Sequence, residues 1–319
     1  MTTISRTQPI VAPKATSGQR EATADSMDEA LSVFLGVRSR LFGVAYRILG
    51  SASDAEDIVQ SVWVKWQMTD RSVVREPAAF LTTAAVRLAI TVAQSAQTRR
   101  ESYVGVWLPE PVDTSVDPYL GAECSDALEL AVLMLLEKLS PNERAAYVLR
   151  EAFDYPHGQI AEILHLTETN VRQLITRARK HISSNRRAPA SAAEQKRLLT
   201  AFIDAAQEGN VVALERLFAP DVASYADGGG ILKAARTPIR GRSVVAKFIS
   251  KVAPPFWAGL TLKVIDANGR ASLAMLRGGE IVALATVAGS KRRINQIMWV
   301  MRPSKLVAIS RALQASQKP

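Results

Sequence analysis

The sequence predicts a multidomain chain: two all-α helical domains followed by an α+β domain. Three observations predict it. Apolar residues recur at helical spacing through residues 27–187, and then give way to short alternating runs separated by Gly-containing pairs. Between the two helical blocks lies "YVGVWLPEPVD" (Tyr103–Asp113). Proline fixes φ and biases the residue before it toward extended backbone, so this segment is neither a helix nor a loose Gly/Ser tether. Helices that come first and strands that come later also segregate into α+β architecture rather than βαβ repeats.

A chain of 319 residues has room for two or three cores, and 48% apolar with 22% charged residues is ordinary globular composition. The net charge of +10 favours an acidic partner such as nucleic acid or a membrane surface, although a basic enzyme fits equally well. The single cysteine, Cys124, excludes an internal disulfide and fits a reducing cytoplasm, where it serves as a small apolar side chain. Residues 1–26 lack the apolar stretch of a signal peptide, and their Thr/Ser/Ala/Pro content reads as a disordered arm. No apolar run long enough to cross a bilayer is expected.

In the first helical domain, residues 27–102, "SASDAEDIVQSVWVKW" places Ala55, Ile58, Val59, Val62, Trp63 and Trp66 on one stripe. Ser53 and Glu56 have capping-box spacing, and Asp54 and Asp57 suit the positive end of the helix dipole. Gln60, Lys65 and the acids form the outer face. "EPAAFLTTAAVRLAITVAQ" is a second long helix.

The second helical domain, residues 122–187, restarts at Ser140-Pro141 with proline at the first helical position. "QIAEILHL" and "TETNVRQLITRARKHI" are two helices joined by a short turn, the second capped by Thr167. Val171, Leu174, Ile175, Ala178 and Ile182 share its inner face. Thr169, Arg172, Gln173, Thr176, Arg177 and Lys180 lie opposite. Amides pair with adenine, and guanidinium groups with guanine or phosphate, so this face suits a major groove. A three-helix bundle with a basic surface is the plainer reading. The concentration of basic residues on and just after this helix favours DNA.

A linker at 188–195 leads to the α+β domain, residues 196–312, and a tail at 313–319. Two helices precede a Pro stop in "LFAPDV", and four strands follow, with turns at Asn268-Gly269, Gly278-Gly279 and Gly289-Ser290. Trp257, Phe256, Met275 and Trp299 either line a pocket for a small apolar ligand or fill the core. The chain's three histidines, His157, His165 and His181, all lie outside this domain, scattered and without cysteine partners, so neither catalysis nor a metal site is expected. Tyr225 and Asp227 could act chemically, but "DGGG" reads more simply as a tight loop. No cofactor motif is present.

Taken together, residues 27–187 resemble bacterial sigma factors of the sigma-70 family, extracytoplasmic-function group. "DAEDIVQSVWVKW" is similar to the polymerase-binding helix of sigma domain 2. "LEKLSPNERAAYVLREAFDYPHGQIAEILHLTETNVRQLITRARKHI" is similar to sigma domain 4 throughout. "RRESYVGVWLPEP", "YADGGG" and "RPSKL" resemble three signatures of the subgroup that carries a C-terminal SnoaL-like cone domain. The resemblance implies a subunit that joins core RNA polymerase and reads the −10 and −35 elements of promoter DNA. Asp54, Glu56, Asp57 and Gln60 would dock on polymerase. Thr169, Arg172, Gln173, Thr176, Arg177, Arg179 and Lys180, with Arg87, Arg99 and Arg100, would contact DNA. Regulation in cis would involve Trp107, Leu108, Pro109, Glu110 and Pro111 of the linker, Asp227, Gly228, Gly229 and Gly230, and Arg302, Pro303, Lys305 and Leu306. Trp107 would be the apolar anchor, and the stiff linker would hold two helical modules at a set distance. The alternative is a one-component helix-turn-helix regulator with a ligand-sensing domain. The chain departs from the family at "TVAQSAQ" (Thr91–Gln97), where charged residues are usual, at Ile231-Leu232 after the glycines, and at Arg302 and Ser304, where Asn and Asp are usual.

Overall fold

The computed structural model describes residues 17–101, 103–114, 129–185, 190–230, 234–290 and 292–315. Cys124 and residues 1–16 lie outside them. Helix α1 (Ser17–Leu49) packs against α2 (Ala52–Met68) and α3 (Pro77–Glu101). The arm expected over 1–26 is instead helical from Ser17, where Gln, Arg, Glu and Ala are good helix formers. Gly50, at φ +65°, ends α1 and leaves Ser51 extended, so Ser51 rather than Ser53 is the N-cap of α2 and accepts from Asp54 N. The expected stripe is buried except for Trp63, which is half-buried against Phe34 with ring centroids 4.9 Å apart. Residues 77–96 of α3 do reach the length and apolarity of a bilayer-crossing helix, contrary to expectation. Leu81, Ala85, Val86 and Ala89 are buried in the helical core, so this helix owes its apolar character to packing.

The second domain comprises α4 (Leu130–Leu136), α5 (Pro141–Phe153), α6 (His157–Leu164) and α7 (Glu168–Asn185). Ser140 and Glu143 form a full capping box with Pro141 at the helix start. His165, at φ 54°, turns the chain between α6 and α7, and Thr167 Oγ1 accepts from Asn170 N at 3.2 Å. The two helical domains are not held apart. One apolar cluster runs through both, and the buried Arg144 ties them by donating to Ile48 O and Glu137 Oε1, each at 2.7 Å. Burial pushes this guanidinium down to about 10.

The third domain runs α8 (Ala192–Gln207), α9 (Val211–Leu217), β1 (Phe218–Asp227), β2 (Ile239–Arg240), α10 (Arg242–Trp257), β3 (Thr261–Ala267), β4 (Arg270–Arg277), β5 (Glu280–Ser290), β6 (Arg293–Val300) and α11 (Pro303–Ala315). Its six-stranded sheet has the order β2-β1-β6-β5-β4-β3. Both faces are covered. Leu273 and Met275 of β4 face the cluster of α8–α10, whereas Ala274 and Leu276 face a second cluster holding Leu306 and Ile309 of α11, Leu130 of α4 and Leu108 of the linker. Met275 is therefore core, as one of the two open readings had it.

Three expectations change. The chain after "LF" continues as β1, paired in parallel with β6, and Pro220 is accommodated by a register shift between Phe218 and Ala223. Gly289-Ser290 lies within β5 at a second shift, with Arg292, φ 61°, in the turn beyond it. Helix α10 was not anticipated, although Val245, Ala246, Ile249 and Ala253 carry its period.

Candidate functional site

Tyr103–Thr114 is a strap held from both sides. On the C-terminal side, the buried carboxylate of Asp227 accepts from Tyr103 Oη at 2.5 Å, Leu108 N at 2.9 Å, Gly229 N at 3.2 Å and Lys305 Nζ at 2.7 Å. Lys305 Nζ also donates to Leu108 O and lies 4.1 Å from the centre of the Trp107 ring. A carboxylate and an ammonium are tolerated here because each is paired and hydrogen-bonded. The backbone of Asp227 accepts from Met301 N and Arg302 N, so the strand end carrying the acid is fastened to the turn leading into α11. The Arg302 guanidinium sits 5.5 Å from the Tyr103 ring centre. Burial, and then the bond to the Asp227 carboxylate, push the Tyr103 phenol up to about 12.

The glycine loop lets these groups close. A Cβ on Gly229, at φ +61°, would lie 2.8 Å from Arg302 Cδ, and one on Gly230 would lie 3.3 Å from Val104 Cβ. Gly228 is buried beside them.

On the N-terminal side, Glu110 docks on α2. Its Oε2 accepts from Ala52 N at 2.9 Å and Ser53 N at 3.1 Å, adding negative charge at the positive end of the helix. Glu110 N donates to Gly50 O, and Tyr46 Oη donates to Glu110 O at 2.5 Å. Pro109 and Pro111 are buried, and Leu108 is wholly so; Trp107 is half-buried. The apolar anchor is thus Leu108, while Trp107 supplies a ring face to Lys305 and packs against Gly50. Further along, Asn268 in the β3–β4 turn accepts from Val112 N at 3.1 Å, and Asn268 N donates to Val112 O at 2.9 Å. Asn268 Nδ2 reaches Tyr46 Oη at 2.7 Å, joining all three parts of the chain.

The structure brings the three sequence signatures together, with Pro303 exposed and Leu306 buried beside Lys305. Gly50, Tyr46, Tyr103 and Asn268 were missed as site residues. Only Gly50, between a helix and a cap-forming Ser, left a signal in the sequence. Asn268 read as a turn residue and nothing more.

The outer face of α7 is as expected. Thr169, Arg172, Gln173, Thr176 and Arg177 are exposed and line one shallow concavity. Arg172 pairs with Glu168, and Arg177 with Glu143 at 3.3 Å. Arg179 pairs with Glu151 of α5 at 2.6 Å, to the side of that concavity, and Lys180 is exposed. Arg87, assigned to DNA, is instead spent here on the last carbonyls of α6, donating to Ile163 O at 2.9 Å and Glu162 O at 3.2 Å. A guanidinium suits the negative end of that helix. Arg99 and Arg100 lie outside the residues whose side chains are described. On α2, Asp57 and Gln60 are exposed, Asp54 is half-buried, and Glu56 pairs with Arg38 at 2.8 Å.

Residues 34–99 match the family model "Sigma-70 region 2", and residues 129–182 match "Sigma-70, region 4". The chain is 36% identical over 289 residues to "ECF RNA polymerase sigma factor SigJ" of Mycobacterium tuberculosis, covering 88% of this chain and 90% of that one. It is 33% identical over 194 residues to "Probable ECF RNA polymerase sigma factor SigI" of the same species, covering 60% and 67%. The crystal structure of the M. tuberculosis SigJ protein superposes with a TM-score of 0.71 at 29% identity, over 87% of this chain and 98% of that one.

Proposed function

The chain belongs to the extracytoplasmic-function group of RNA polymerase sigma factors, and from that premise we propose that its C-terminal domain controls it in cis through the strap at residues 103–114. The protein directs core polymerase to promoters in the cytoplasm. Asp54, Glu56, Asp57 and Gln60 on α2 dock on polymerase. The α7 face centred on Arg172, Gln173, Thr176 and Arg177 reads the −35 element, and Arg99 and Arg100 serve the −10 element. Asp227 has a positioning role rather than a chemical one, since its oxygens are committed to four donors.

The observation that carries this reading is that one strap residue, Leu108, is clasped by Asp227 and Lys305, while its neighbour but one, Glu110, caps the polymerase-facing helix. A shift of the third domain is therefore transmitted to α2 without passing through a flexible segment. The test is reconstituted transcription with core polymerase, using the full chain and tail truncations of several lengths. Promoter-specific transcripts whose level changes once α11 is removed support the proposal. Equal output from every truncation would end the regulatory reading, and neither transcript nor co-elution with polymerase would end the whole assignment.

A further inference from the structure

Charge is divided unevenly along the chain. Residues 1–195, which contain both matched sigma-70 regions, carry 21 Lys and Arg against 23 Asp and Glu, a net of −2. Residues 196–319 carry 19 against 7, a net of +12. The excess that makes the chain basic therefore sits in the domain without a DNA-reading helix, and the strap takes up only Lys305 and Arg302 of it.

Part of this charge is gathered at one end of the domain, where α8 begins, α9 ends and β5 turns into β6. Lys196, Arg197, Arg216, Arg292 and Arg293 are all exposed there. Phe218, two residues after Arg216, pairs with Ile294, and Arg293 Nη1 donates to Phe218 O at 3.3 Å. Arg197 grips the Glu194 carboxylate at 2.8 and 2.9 Å, and those bonds, with the charges of Arg197 and Arg292, hold that carboxyl below its ordinary range. Arg292 stands at φ 61°, a left-handed position that Gly or Asn takes at lower cost. Arg240 of β2 faces Ala223, which faces Gln296 of β6. Against these six cations stand Glu194, Glu215 and Asp221, leaving an excess of three.

This end adjoins the exit of α7. Ala190 N donates to Gly289 O at 3.0 Å, and Ser184, in the last turn of α7, shares a cleft wall with Arg240 and Asn295. From Arg172 to Ser184 is about 18 Å of helix, less than the roughly 34 Å of one duplex turn. A membrane surface would also want apolar side chains to insert. Among the described residues, Val212 is the only large exposed one on α8, α9 and the β5–β6 hairpin.

We propose that this end of the third domain grips the sugar–phosphate backbone of duplex DNA, flanking the segment that α7 reads. The contact is sequence-independent, since exposed guanidinium and ammonium groups around a turn meet phosphates rather than base edges. That both surfaces share one duplex rests on the reading of α7; phosphate binding by the third domain does not.

The test uses the full chain and a fluorescein-labelled 30-bp duplex of random sequence, with anisotropy followed from 50 to 200 mM salt. Each phosphate contact adds about 0.9 to the slope of log K against log salt. The triple variant Lys196→Gln, Arg216→Gln, Arg292→Gln should therefore lower that slope by about 2–3. The charge-keeping triple variant Lys196→Arg, Arg216→Lys, Arg292→Lys should retain the parent slope, which a merely structural role of these side chains would not predict. An unchanged slope in the Gln variant, or equal losses in both variants, would overturn the proposal. So would tighter binding to phosphatidylglycerol vesicles than to the duplex. Arg172→Ala with Arg177→Ala separates the two ideas. Slope losses that add to those of the Gln variant at one chain per duplex support a shared duplex. Two duplexes per chain would end the shared geometry, and no loss from the α7 pair would end the reading of α7, while the Gln variant still decides the phosphate site.

Discussion

Asp227→Asn isolates the charge at the centre of the junction. The substitution is nearly isosteric and keeps one oxygen, but it removes the counter-ion of Lys305, whose side chain is 5% exposed, and turns an N–H toward donors that expect an acceptor. Breaking a buried pair by removing one partner costs about 3–5 kcal/mol, because the remaining charge stays desolvated. Lys305 keeps the Leu108 carbonyl and the Trp107 ring face, which argues for the lower end of that range. At about 1.4 kcal/mol per factor of ten, 3 kcal/mol raises the undocked fraction of the strap by roughly a hundredfold or slightly more. The Leu108 amide reads this directly by hydrogen exchange, since it donates to the altered carboxylate. Its protection should fall by about two orders of magnitude, while amides in the α1–α2 core are unchanged. Lys305→Met in the Asp227→Asn background should cost much less than Lys305→Met alone, because the pair is already broken. Unchanged protection at Leu108, or additive single and double variants, would refute the reasoning.

Gly50→Ala combines a strained φ of +65° with a Cβ 2.8 Å from the Trp107 ring, so it should cost about 1–2 kcal/mol and expose Trp107; a red-shifted Trp emission and lower unfolding midpoint check this. Arg177→Ala should weaken −35 binding. If Arg177 meets phosphate, the salt slope should fall by about 1, and if it meets a base, about 1–3 kcal/mol of sequence discrimination should vanish, as a titration at several salt concentrations shows. Tyr103 has a folded-state value raised to about 12 against an ordinary value near 10. Below pH 10 both states keep the proton and its contribution to stability is whole; between about pH 10 and 12 the unfolded chain loses the proton first and the contribution drains away. The buried Tyr46 phenol is also pushed up and acts in the same direction. Unfolding of the parent chain should therefore become easier above pH 10, and Tyr103→Phe should flatten but not remove that slope.

The sequence by itself determined the helices of the first two domains and the α7 face. Helical periodicity and capping are local: Val171, Leu174, Ile175, Ala178 and Ile182 turn inward because they recur every three or four residues, and that alone leaves Arg172, Gln173 and Thr176 outside. The tertiary structure decided what no local rule contains. The parallel β1–β6 pairing joins residues some 75 positions apart, and its partner strand hides behind Pro220. Asn268 reads as a turn until Tyr46, 222 residues away, is found against its amide. Trp107 looked like the anchor because it is large, yet Leu108 took the buried position, since extended backbone sends neighbouring side chains to opposite sides. Arg87 shows the same limit from the other direction: its charge is written in the sequence, but whether it meets DNA or a helix end depends on which domains are in contact.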